Sequence, residues 1–256
     1  AYRPEEVTVV KTGTRHAIEP VINEFRRLYG DLEVNVDCSE NREFVDALIN
    51  SEPNHLGPSF RKMLLQQTGG HPLFTVELLR GMQERGDLAK DANQYWIEGA
   101  SLDWDTLPAR VEAAIRERVN RLPDALQRAL SIACVEGEIF TAEVVAQVMG
   151  ENERETVQYL SGDLVRKHRL INAQAIERLG SKRISHYRFR SYLIQKYLYD
   201  NLDTAERAYL HEDVGKALEE LYGEQASEIA VQLARHFQEA KIVDKAIQYL
   251  HQAGDR

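Results

Sequence analysis

Apolar positions near the start of the chain recur with the period of a helix. Ile18, Val21, Ile22, Phe25, Leu28 and Tyr29 share one face and Gly30 closes the run, which predicts a helix over 15–30. LEVNVD, residues 32–37, alternates and is β-branched, so a short strand is expected there. From Ser39 to about Gly86 the period is helical throughout, carried by Phe44, Val45, Leu48 and Ile49, then Phe60, Met63 and Leu64, then Phe74, Leu78 and Met82. The stretch 87–105 is polar, with YWIEG as an edge strand, and reads as a linker between units.

Beyond it, Pro108 and Pro123 stand where a helix start tolerates proline. Val111, Ile115 and Val119 then line one helix, and Leu126, Leu130 and Ala133 begin another. Thr141 is placed to cap a helix with Val144, Val145, Val148 and Met149, ended by Gly150, and Val157, Leu160, Leu164 and Val165 line the next. RLIN and ISHYRF are strand-like runs joined by a polar segment with Gly180, Ser181 and Lys182. Helices followed by a β-hairpin predict a winged helix. In the remainder, Val214, Leu218 and Leu221, then Ile229, Leu233 and Phe237, then Ala246, Ile247 and Leu250 mark three more helices. Small residues at Ala230, Ala234, Ala240, Ala246 and Ala253 suit close helix packing of the tetratricopeptide type. The fold class expected is mainly α.

The formal charge of −9, from 41 acidic against 32 basic side chains, leaves no overall electrostatic footprint for nucleic acid or an anionic membrane. Cys38 and Cys134 each lie in an apolar stretch, which suggests neither a disulfide framework nor a zinc site and fits a reducing, cytoplasmic setting. No apolar run reaches the roughly 18 residues of a membrane helix. The start, AYRPEEV, has neither a signal pattern nor a methionine, so a piece of a longer protein is expected.

The stretch QQTGGHPLFTVELLRGM raises the question of phosphate binding, because a glycine pair precedes a helix. A P-loop needs G-x-x-x-x-G-K-[ST] after a strand, and no window here matches. Asp37 ends a strand as a magnesium-binding acid would, and it equally fits a turn or helix entry. His211 and His236 lie in helical context, no H-E-x-x-H occurs, and no serine sits in a G-x-S-x-G elbow, so an autonomous catalytic site is not expected. A winged helix also raises DNA. Its second helix, 151–168, opens with Glu151, Glu153 and Glu155 against Arg154, where base edges would be met. Basic residues collect instead at Arg166, Lys167, His168 and Arg169, and at Lys182, Arg183, His186, Arg188 and Arg190. They read as a solvated face with ion pairs, or as a hairpin facing a nucleotide held by another domain.

Taken in order, these segments resemble the STAND class of signal-transduction ATPases, in particular bacterial regulators with an AAA-like ATPase, a winged helix and tetratricopeptide-type repeats. The resemblance runs along essentially the whole chain. AYRPEEV looks like the segment after the sensor 1 strand, with Arg3 at the position near the γ-phosphate. TGGHPLFTVELLRGM looks like the lid motif beside adenine, occupied here by Gly70, His71 and Pro72. LPARVEAAIRERVNRLPDALQRAL and HYRFRSYLIQKYLYDNL are similar to the opening and end of the winged helix, and LARHFQEAKIVDKAIQYLHQAGDR to the entry into the repeats.

The resemblance implies a remnant of an α/β P-loop ATPase core over 1–38, a helical lid over 39–100, a winged helix over 101–202, and antiparallel helix pairs of repeat type over 203–256. It implies ATP or ADP in the intact parent, with no tight binding to this segment, which lacks the P-loop and Walker B strand. The function implied is nucleotide switching and signal relay in a multidomain ATPase or transcription regulator. The partners implied are the N-terminal ATPase core, proteins at the helical C-terminal region, and self-association. Where the family often reads FRH, its histidine reaching toward the phosphates, this chain reads FRS with Ser191, and Arg190 or His186 would have to substitute. Two other classes stay open: a winged-helix DNA-binding regulator and a helical-repeat interaction scaffold.

Overall fold

In the computed structural model, residues 19–29, 41–180 and 182–254 are described, and they are mainly helical with two small antiparallel sheets. The chain divides into two compact units at residue 40. In the first, helix α1 (Glu19–Tyr29) appears where the apolar period predicts it. Arg3, the strand expected over 32–37, Asp37 and Cys38 lie outside the described residues.

The second unit opens with α2 (Asn41–Asn50), α3 (Pro58–Thr68) and α4 (Pro72–Arg85), which Gly86 ends in the left-handed region. The stretch expected to be a linker is instead structured. Strands β1 (Leu88–Lys90) and β2 (Trp96–Glu98) pair antiparallel, Leu88 is buried, and Trp104 packs against Phe60 at 5.3 Å. β2 falls in YWIEG, where a strand is expected, while scattered apolar residues among polar ones hid β1 and the core contacts from a period count. Each aromatic covers a large area of core by itself.

Helices α5 (Ala109–Asn120) and α6 (Asp124–Glu136) start directly after Pro108 and Pro123, which hold the N-cap positions. Strand β3 (Ile139–Thr141) and α7 (Ala142–Met149) follow. Thr141 does precede α7, but its hydroxyl donates to Glu136 Oε1 at 2.6 Å and makes no cap bond. The carboxylate outcompetes the helix end because a charged, buried acceptor makes the stronger bond. Burial pushes Glu136 up to about 7 against the two bonds from Thr141.

Helix α8 (Glu153–Tyr159) runs on into a π-helical stretch, Leu160–Lys167, whose end is closed by the His168 N–H donating to Asp163 O at 2.7 Å. Strands β4 (Ile171–Leu179) and β5 (Lys182–Phe189) form a hairpin turning at Gly180, and β5 lies between β4 and β3. β5 alternates buried and partly exposed positions, whereas β4 is the edge and is largely exposed, with a register shift between Ala173 and Ile176 that breaks the edge's regularity.

The chain continues through α9 (Tyr192–Asp200), α10 (Thr204–Tyr222), a 3₁₀ stretch Gly223–Ile229, α11 (Ala230–Glu239) and α12 (Val243–Gly254). Ala230, Ala234 and Ala246 are buried among α10, α11 and α12, which is what small residues at a close helix pair are for. A continuous hydrophobic cluster extends from Val45 to Tyr249. Among the described residues no helix is long and apolar enough to cross a membrane.

Candidate functional site

The glycine pair approaches backbone. Gly69 ends α3 at φ +62°, its N–H donating to Leu65 O at 2.8 Å, and Gly70 follows at φ +68°. A Cβ on Gly69 would lie 1.9 Å from the carbonyl oxygen of Arg190 and 3.6 Å from Ser191 Cα. Only glycine fits there, on two independent grounds: left-handed backbone and absence of space.

The turn is fastened from within. The Thr68 hydroxyl donates to Leu64 O at 2.7 Å and accepts the Gly70 N–H at 3.1 Å, while the Thr75 hydroxyl reaches both Thr68 Oγ1 and His71 O. Both threonines are buried, so these bonds are shielded from competing water. His71 then takes extended backbone at the N-cap of α4, with Pro72 as the first helical residue, its fixed φ suited to that place. His71 and Pro72 are exposed, and the His71 ring stacks on Phe74 with centroids 4.3 Å apart.

Across the contact lies the exit from β5. Ser191, 2% exposed, donates its hydroxyl to Gln67 O at 2.7 Å and accepts the Leu193 N–H at 3.1 Å, so one side chain caps α9 and ties it to the end of α3. Arg190 is half-buried. Its N–H donates to Leu170 O at 3.0 Å and its Nε to Asn172 Oδ1 at 3.1 Å. Burial, and secondarily the nearby Arg169 charge, lower the Arg190 pKa. Arg169 itself holds φ +51°, unusual for a side chain with a Cβ, and the Arg118 guanidinium donates to the carbonyls of His168 and Arg169. The Gln67 side-chain oxygen is buried with no hydrogen-bond partner.

Gly69, directly before Gly70, His71 and Pro72, is thus brought against the Arg190 backbone from more than a hundred residues away. Sequence reasoning gave Ser191 only as a departure from a motif and Arg169 only as one of a basic cluster, and assigned no role to Asn172 or Gln67. The positive φ of Arg169 left no signal, because it is imposed by tertiary contacts. Ser191 did leave one, a serine directly before an apolar helix.

At the other end of the hairpin, Lys182 Nζ donates to Glu220 O at 2.8 Å and Leu221 O at 3.3 Å, capping the C-terminus of α10. His186 lies near Glu177, at 3.6 Å, and Arg188 pairs with Glu138. The start of α8 exposes Glu151, Glu153, Arg154 and Glu155, and Glu151 to Arg154 line an open, mostly acidic depression. His211 and His236, expected to pack or lie half-exposed, are fully buried and bonded to each other. Cys134 is a buried thiol whose pKa is raised by burial. Among the described residues, no three metal-binding side chains come together. No protein-family model, curated protein or solved structure matches this chain.

Proposed function

We propose that the chain is the nucleotide-responsive switch and relay segment of a STAND-type signal-transduction ATPase: lid over 39–100, winged helix over 101–202, and first repeat-type helices over 203–256. The observation that carries this is the Gly69 contact. It ties the end of α3, directly before the G-H-P turn, to the F-R-S junction some 120 residues further along the chain. Helices α6, α7 and α8 followed by the β4–β5 hairpin, with β3 between α6 and α7 joining its sheet, support the winged-helix part, and the small-residue packing of α11 on α12 supports the repeat part.

The residues fit ATP or ADP in part. The His71–Phe74 stack and exposed Pro72 offer apolar surface to a flat base. Arg190, with the Arg169 charge nearby, offers positive charge to a phosphate. Ser191 does not fit as a phosphate ligand, because its hydroxyl is already committed to Gln67 and Leu193. A nucleotide with unequal affinity for closed and open arrangements of lid and winged helix would shift their populations.

Two features weigh against DNA binding: the acidic start of α8, and a hairpin tip engaged by α10. A chain carrying a P-loop core ahead of Ala1 should bind ADP about tenfold more weakly with Arg190→Ala and with Pro72→Ala, a loss of about 1.4 kcal/mol each. Unchanged affinity in both variants would remove the nucleotide role. Salt-sensitive binding of duplex DNA in a mobility-shift titration would favour the winged-helix regulator instead.

A further inference from the structure

We propose that Tyr199, His211 and His236 form a proton-operated latch between α9, α10 and α11, closed when both imidazoles are neutral and released, with the α11–α12 pair, when they take up protons. Nothing in it requires a nucleotide. Tyr199 Oη lies 2.9 Å from His211 Nε2, and His211 Nδ1 lies 2.9 Å from His236 Nδ1. Both histidines are 0% exposed. His236 Nε2 is buried without a hydrogen-bond partner.

At that separation a single proton occupies the space between the two Nδ1 atoms, one nitrogen donating and the other accepting. A first extra proton turns one ring into an imidazolium in a buried site flanked by Arg207 from α10 and Arg235 from α11. The Arg207 guanidinium itself lies over the Tyr199 ring at 4.4 Å. Glu239 from α11 is the facing acid, and the Cys134 thiol from α6 also lies near Tyr199. A second proton is excluded by geometry, because it would set N–H against N–H. The closed arrangement therefore resists protons that the opened histidines accept freely. Burial first, and the arginines next, lower both histidine pKa values, so the closed form is fully favoured above about pH 6.5 and loses ground as pH falls below it.

Release would be local. α11 and α12 bind back to the preceding helices through this pair and through Leu233, Phe237 and Ala246. Opening constants for α11 and α12 amides, measured by hydrogen exchange on the full chain and corrected for intrinsic exchange, should rise at least tenfold per pH unit between about pH 6 and pH 5, since each proton taken up on opening contributes one decade. The apolar triple variant Tyr199→Phe, His211→Phe, His236→Phe should lose that slope. A flat pH response, or the same slope in the triple variant, would overturn the latch. If the triple variant does not fold, the imidazole nitrogen shifts of the unaltered protein decide. Both rings staying neutral down to the pH at which α11–α12 opens supports the latch, and both titrating near pH 6.5 with α11–α12 closed overturns it.

Discussion

The β4–β5 hairpin is held at two ends by opposite kinds of contact. At its base, the exit toward α9 meets Gly69 backbone to backbone, with Ser191 buried and its hydroxyl used in both directions. At its tip, a lysine on a flexible stem reaches the last carbonyls of α10. The first contact is steric and leaves no room for one added carbon. The second is electrostatic, exposed and forgiving. The hairpin thus has a fixed point toward α3 and a compliant one toward α10.

Gly69→Ala attacks the fixed point and should have the largest effect. The new Cβ collides with the Arg190 carbonyl and the left-handed backbone becomes strained, so chemical denaturation should show a loss of about 3 kcal/mol. A loss below about 1 kcal/mol would mean that the base yields as readily as the tip. Ser191→Ala comes next. It leaves the Gln67 carbonyl without its donor and removes the α9 cap, which should cost about 1–3 kcal/mol in the same measurement. Lys182→Ala should cost less than about 1 kcal/mol, and the difference from the unaltered protein should shrink as salt is raised. A salt-insensitive cost approaching that of Ser191→Ala would erase the contrast between the two ends.

Much of this was written in the apolar period. The helices around Val45, Phe74, Ile115, Leu130 and Leu218 lie where their spacing placed them, and β5 lies where ISHYRF placed it, whereas β4 runs on from RLIN through the polar segment expected to join the two strands. Short elements escaped for a physical reason. β1 and β3 have three residues each, too few to establish a period, and the 87–105 stretch is anchored by single large aromatics. Thr141 shows a different limit: its position before a helix was readable, but the competing partner, Glu136, is set by the fold.

The candidate site was half legible. A glycine pair announced a close approach, and the left-handed φ values at Gly69 and Gly70 agree with the need for glycine. What it approached depended on a contact 120 residues away, which no local pattern carries. The histidines show the same division. Their helical setting was visible, but their pairing across α10 and α11 appears only when the two helices pack.

If nucleotide acts as proposed, the glycine turn and the β5 exit should respond to it together. The most direct test is amide hydrogen exchange at Gly70 and Leu193, whose N–H groups bond to Thr68 and Ser191 on the two sides of the contact. It would be measured with and without ADP in a chain that carries a P-loop core. Protection should rise at both amides together, by a common factor. ADP binding that protects only one side, or neither, would contradict the account.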